Sequence, residues 1–187
     1  MRNMTSAVSP AGSIAASGLG SAVGSAVGSA IVPYETRAAV EHLYARYVKC
    51  LDAADFAAWP DFFVAECTYK VQARENHERN LPLAVIALES RAMLLDRVFG
   101  ITTTLYHQPY YQRHIVSSFL IEARADGSIA VEANYAVFRT KQNHLTEVFN
   151  TGRYVDLLVR ENGVLKFKNK LCVYDSELIP NSLIYPL

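Results

Sequence analysis

MLLDRVFGITTTLYHQPYYQRHIV, residues 93–116, changes its period halfway along. Met93, Leu94 and Val98 recur at helical spacing, with Asp96 and Arg97 between them. The β-branched run Ile101, Thr102, Thr103 and Thr104 weakens that helix, and Pro109 imposes an extended entry into a strand. From Tyr110 the period is two. Tyr110, Gln112, His114 and Val116 share one face; Tyr111, Arg113, Ile115 and Ser117 share the other. The stretch is the hinge between a helical part of the chain and a strand-rich part.

Downstream, turn signals cut the chain into long strands. Asp126-Gly127, Asn143-His144 and Asn162-Gly163 separate four of them: Tyr110–Arg124, Ile129–Lys141, Leu145–Arg160 and Val164–Tyr174. Upstream, Pro33 and Tyr34 open a helix to about Ala53, with Val40, Leu43, Tyr44, Tyr47, Val48 and Leu51 as its buried stripe. A short second helix carries Trp59, Phe62 and Phe63, with Pro60 near its start. Thr68–Ala73 reads as a strand, Arg74–Asn80 as a polar loop and Leu81–Leu88 as a short strand. Helices first and an antiparallel meander after them give an α+β fold, the helices packed on a curved, mainly antiparallel sheet.

Both faces of that meander carry apolar residues. Ile129, Val131, Tyr135 and Val137 oppose Ala130, Ala136 and Phe138; Tyr154 and Leu158 oppose Val155, Leu157 and Val159. A sheet with one wet face alternates more cleanly, so the face that the helices leave bare calls for a partner. Lys166, Lys168 and Lys170 are the exception, and are expected to form a solvated stripe that discourages edge pairing.

The chain has 187 residues, 51% hydrophobic and 19% charged, enough for one domain with a substantial core. Lys+Arg and Asp+Glu are 18 each, so the net charge is +0. That balance excludes a nucleic-acid binder, which must neutralise phosphates, and gives little protection against self-association. Cys50, Cys67 and Cys172 are odd in number and widely spaced, as expected for reduced thiols in the cytoplasm.

Residues 1–33 stand apart as a low-complexity extension of Ala, Gly, Ser and Val, with no charge between Arg2 and Glu35. A signal peptide needs an apolar centre uninterrupted by Gly and Ser. Gly20, Gly24 and Gly28 have the spacing of a membrane helix contact, yet large apolar side chains are sparse. The segment is expected to be a disordered extension, with no membrane role. A start codon set too early gives the same appearance.

The chemistry-bearing residues are sparse. Among His42, His77, His107, His114 and His144, only His107 and His114 are close, and no carboxylate completes a facial triad with them. There are no Cys-x-His arms for a Rieske cluster, no nucleophile elbow and no phosphate-binding glycine loop. A curved sheet closed by helices can enclose a cavity, and Tyr44, Asp96, Tyr111 and His114 are the candidates for proton transfer at its mouth. Against this stands a core filled by inert, hydrogen-bonded Tyr and His.

Five stretches carry a resemblance: WPDFF from Trp59, ECTYKVQARENH from Glu66, LPLAVIALESRAMLLDRVFG from Leu81, YHQPYYQRHIV from Tyr106 and LCVYDSELIPNSLIYPL from Leu171. Over 34–187 the chain resembles the small (β) subunits of aromatic-ring-hydroxylating oxygenases, the last three stretches being most similar to the salicylate 5-hydroxylase branch. The resemblance implies the cone-shaped fold of nuclear transport factor 2 (NTF2-like, SnoaL-like). It also implies an α3β3 hexamer whose large (α) subunit holds a Rieske [2Fe-2S] cluster and a mononuclear non-haem iron. Electrons would come from NADH through a reductase and a ferredoxin. The small subunit is then structural, with no catalytic, metal or cofactor-binding residue. Asp96, Arg97, Tyr110, Arg113 and His114 are the candidates for subunit contact or support. The competing expectation is a stand-alone isomerase or dehydratase of the same fold.

Overall fold

The structure, a computed structural model, describes residues 32–176 and 183–187. Up to residue 31, the expected extension lies outside the described residues. So does most of the segment between Asp175 and Leu183.

Helix α1, Tyr34–Asp52, starts at Pro33, whose carbonyl accepts from Thr36 and Arg37. Val40, Leu43, Tyr44, Tyr47 and Leu51 are its buried stripe, as their spacing predicts; Val48 is only half-buried. A single 3-10 turn, Trp59–Phe62, comes next, with Pro60 early in it, where a missing N–H costs little. Phe63 does not belong to that turn: it begins strand β1, Phe63–Ala73. The polar run after β1 is not a loop either. Arg74–Glu78 forms one helical turn, α2, closed by an Arg74–Glu78 ion pair.

The apolar run after α2 yields only a three-residue strand, β2, Ile86–Leu88. Pro82 has no N–H to give to a ladder, and the carbonyls of Leu81 and Leu83 are taken by the Gln72 side chain instead. Helix α3, Arg91–Phe99, is capped by Ser90, whose hydroxyl accepts from Met93 N at 3.3 Å. The β-branched run does not stop it at once. Gly100–Thr104 widens into a π-helical turn, in which Leu105 N donates to Gly100 O at 2.8 Å. The hydroxyls of Thr102 and Thr104 donate back to Val98 O and Gly100 O.

Strands β3 (Tyr110–Ala123), β4 (Ile129–Lys141), β5 (Glu147–Glu161) and β6 (Val164–Tyr174) complete one six-stranded sheet. Its order is β2-β1-β6-β5-β4-β3, antiparallel throughout except for the parallel β1–β6 pair. Asn162 and Gly163 both have positive φ, the backbone a two-residue hairpin requires. Helix α1 packs against β3 and β6, and α3 against β1. The helices and the inner face of the sheet thus enclose a cone. Trp59, Tyr44, Tyr47, Tyr69, Tyr154, Phe63 and Phe167 fill it, all fully buried. Each contributes roughly 1.5–3 kcal/mol by leaving water. Leu187 is buried in the same core; its main-chain oxygen accepts from the Tyr47 hydroxyl at 2.8 Å.

Register shifts in β3 and β6 reset the strand faces there. Ser118, with φ 57°, interrupts the β3–β4 register, so Ile121 points inward, off the even-numbered face of Gln112 and His114. On β6, Leu158 pairs with Phe167 but Leu157 with Asn169, which leaves Lys168 as an extra residue. The expected lysine stripe is broken there. Lys168 is exposed, whereas Lys170 points into the cone and is completely buried. No helix among the described residues is long and apolar enough to cross a membrane.

Candidate functional site

Within the cone lies a chemically loaded cluster that sequence spacing does not reveal. Lys170 Nζ lies 3.0 Å from Asp156 Oδ2, and the Tyr44 hydroxyl donates to the same carboxylate oxygen. The Leu171 N–H donates to Asp156 Oδ1 at 3.1 Å. Above the ammonium, the Tyr154 ring centroid is 3.4 Å away, with Tyr47 and Phe167 each at 4.7 Å. Burial is the largest influence on Asp156 and lifts its pKa above the usual carboxylate value; the Lys170 ammonium and the Tyr44 hydroxyl pull it back. Tyr44 is pushed well above the usual phenol value, by burial first and by the Asp156 charge second. A carboxylate, a phenol and an ammonium in contact could move protons, but aromatic rings occupy the space a substrate would need.

The second cluster sits at the sheet edge. Asp52, at the end of α1, accepts from the His114 backbone N–H at 3.1 Å and stands 2.7 Å from His114 Nδ1. It therefore covers a free N–H of the edge strand β3 and fixes the imidazole together. His114 Nε2 is buried without a partner among the described residues. Arg113, on the opposite face, is exposed and reaches to 3.6 Å from Asp52.

A third group holds the end of the chain. Arg97 Nη2 donates to Leu183 O and Ile184 O, both at 2.8 Å. Tyr110 stacks on Tyr185 with centroids 4.3 Å apart, and its hydroxyl accepts from Tyr185 N at 3.4 Å. His107 Nε2 lies 2.9 Å from the Tyr185 hydroxyl. The 93–116 stretch thus braces residues 183–187 at three points.

The four pocket candidates do not converge. Tyr44 is in the core, His114 at the β3 edge, Asp96 exposed on α3, and Tyr111 outside, 79% exposed. Strand parity alone separates Tyr111 from His114. Outward beside Tyr111 stand Ile115 at 52% and Val148 at 61% exposure, with Leu120 further along β3. Half-buried Phe138 pairs with Val148 on β5 and with Arg113 on β3, so exposed apolar side chains gather on the outer face of the sheet at this end, around one arginine.

The donor set does not fit an iron or an iron–sulfur cluster. Among the described residues no three His, Cys, Asp or Glu side chains come together. Both nitrogens of His107 and the Nδ1 of His114 are already engaged. Cys50, Cys67 and Cys172 are free thiols, and burial pushes Cys172 up to about 12.

Known proteins give this arrangement its place. The chain is 32% identical over 145 residues to the anthranilate 1,2-dioxygenase small subunit of Burkholderia cepacia, an alignment spanning 78% of this chain and 90% of that one. A crystal structure from Novosphingobium aromaticivorans, assigned as the beta subunit of an aromatic-ring-hydroxylating dioxygenase, superposes with a TM-score of 0.75 at 33% identity, covering 82% of this chain and 97% of that one. A chain of the same bacterium assigned as a scytalone dehydratase matches with a TM-score of 0.61 at 18% identity, covering 81% and 91%; it shares the NTF2-like fold alone. The family profile described as ring hydroxylating beta subunit matches residues 46–181. The chain therefore belongs to the ring-hydroxylating beta-subunit family.

Proposed function

We propose that this chain is the structural β subunit of a multicomponent Rieske non-haem iron oxygenase, with residues 34–187 as its working domain. A large α subunit is its partner, as the small-subunit relatives imply. We infer an α3β3 hexamer in the cytoplasm. The α subunit carries the Rieske cluster, the mononuclear iron and the substrate pocket, and receives NADH electrons through a reductase and a ferredoxin. The substrate is a benzoate bearing an amino or hydroxyl group; the anthranilate relative supports the former and the salicylate 5-hydroxylase resemblance the latter. Asp96, Arg97, Tyr110, Arg113 and His114 act in assembly or in bracing it rather than in chemistry.

The observation that carries this reading is the pairing of a filled cone with an apolar outer face. A pocket enzyme of this fold needs a cavity where Tyr44, Trp59 and Tyr154 stand packed. A subunit needs a surface to bury, and Tyr111, Ile115 and Val148 supply one. The test is to purify the chain alone and co-expressed with a large (α) oxygenase chain. The pair should hydroxylate anthranilate or salicylate when supplied with reductant, and the chain alone should bind no iron. Hydroxylation, isomerisation or dehydration by the chain alone would overturn the reading.

A further inference from the structure

Residues 183–187, Leu-Ile-Tyr-Pro-Leu, belong to no helix or strand, yet Leu183, Tyr185 and Leu187 are buried. Buried backbone needs hydrogen-bond partners, and a segment outside a ladder must find them elsewhere. Among the described residues, no N–H or C=O of this segment bonds to another backbone group. Side chains from 75 to 140 positions earlier in the chain serve instead. Arg97 donates to Leu183 O and Ile184 O, and the Tyr110 hydroxyl accepts from Tyr185 N. The Tyr69 hydroxyl accepts from Leu187 N at 2.9 Å, and the Tyr47 hydroxyl donates to Leu187 O at 2.8 Å. Pro186 has no N–H to satisfy.

The side chains of the segment are received in the same way. The Tyr185 ring meets Tyr110 and Phe56, with centroids 4.3 Å and 4.7 Å away, and its hydroxyl meets His107 Nε2 at 2.9 Å. Main-chain groups read by side chains, with seats for the side chains between them, are how a protein holds a bound peptide. Such a segment is held by separate contacts and not by the cooperative ladder of the sheet, so it can leave as a unit while the strands stay paired. Holding it in place also has a cost. Burial draws Arg97 below the usual guanidinium value, and its buried Nε has no partner among the described residues. Departure of the segment gives that group back to water and offsets part of what the contacts contribute.

We propose that residues 183–187 are a peptide ligand held in cis, a latch on the cone that leaves and rebinds as a unit, in a site that takes a free apolar peptide of the same Tyr-Pro kind when the latch is out. The inference rests on these contacts and not on the oxygenase reading. Cys172 reports on it: the thiol is fully buried, and Sγ lies 3.7 Å from Leu187 O. The full chain is treated with N-ethylmaleimide, and modification of each cysteine is followed by mass spectrometry. Tyr185→Ala should speed labelling of Cys172 by about tenfold or more, while Cys67, buried on β1, stays protected. An excess of the peptide Leu-Ile-Tyr-Pro-Leu should restore protection saturably, and the same residues in scrambled order should not. Arg97→Ala, which leaves the aromatic rings of the core in place, is the second variant and should behave alike. Exposure of Cys67 together with Cys172 means that the segment opens only with the whole domain, and overturns the proposal. So do unchanged Cys172 labelling in both variants, failure of both to fold, or absence of protection by the peptide.

Discussion

Lys170 Nζ lies 3.0 Å from Asp156 Oδ2, and neither side chain has any exposed surface. Two charges removed from water are costly unless each meets the other and its remaining hydrogen bonds are filled. Here Tyr44 and the Leu171 N–H complete the carboxylate, and four aromatic rings surround the ammonium. Lys170→Met should therefore destabilise the chain by about 3–5 kcal/mol, because Asp156 is left buried alone. Joining it with Asp156→Leu should recover most of that loss. Urea unfolding of the single and double variants decides; a single variant costing under about 1 kcal/mol would show the pair to be unimportant.

Lys170 also shows where sequence reading ends. The turns at Asp126-Gly127 and Asn162-Gly163, the α1 stripe and the four long strands arise from local periodicity and turn chemistry, and they stand in the structure. The Lys166, Lys168, Lys170 alternation does not survive, because a single extra residue on β6 reverses the face. No local pattern signals that bulge. Asp52 and His114 are 62 positions apart, so only the folded chain brings them together. Arg97, a candidate for contact or support, likewise finds its partners far along the chain, at Leu183 O and Ile184 O.

Alkaline pH should unfold the chain cooperatively. Burial holds Tyr44, Tyr47, Tyr69, Tyr135 and Tyr154 well above the usual phenol value and pushes the Cys172 thiol up to about 12. These groups stay protonated in the fold but ionise in the unfolded chain, so the folded state binds more protons and stability falls as pH rises. The loss begins near pH 9, the ordinary thiol value, deepens above the phenol value of 10, and for Cys172 ends near 12. Each group adds about 1.4 kcal/mol per pH unit within its window. Urea midpoints at pH 8 and pH 10.5, with tyrosinate absorbance followed alongside, measure it; equal midpoints would contradict the burial of these hydroxyls.

Removing the Arg97 brace should loosen the end of the chain locally. Arg97→Ala deprives Leu183 O and Ile184 O of their donor, at a cost of about 1–3 kcal/mol. Amide exchange at Tyr185 and Leu187 should rise while exchange in β4 and β5 stays slow. Unchanged protection at Tyr185 would show that its stacking on Tyr110 suffices.

Asp52 and His114 should prove structural. Asp52→Ala uncovers the His114 N–H at the sheet edge and should cost about 1–3 kcal/mol. In an assembled oxygenase, His114→Gln should leave turnover within a few-fold of the parent. A loss of about 100-fold or more, with assembly and iron content intact, is what a general acid or base gives and would favour direct catalysis.

Assembly through the outer face of the sheet is the role proposed for this chain. Size-exclusion chromatography with light scattering on co-expressed large and small chains tests it most directly. Ile115→Asp and Val148→Asp place a charge where apolar surface is to be buried, and Arg113→Glu reverses one beside it; Lys168→Glu, on exposed β6 surface, is the control. The control should co-elute with the large chain and support turnover, whereas Ile115→Asp and Val148→Asp should remain folded, with near-parental melting temperatures, but elute apart from it. If both variants assemble and turn over like the control, the outer face is not the working surface of this subunit.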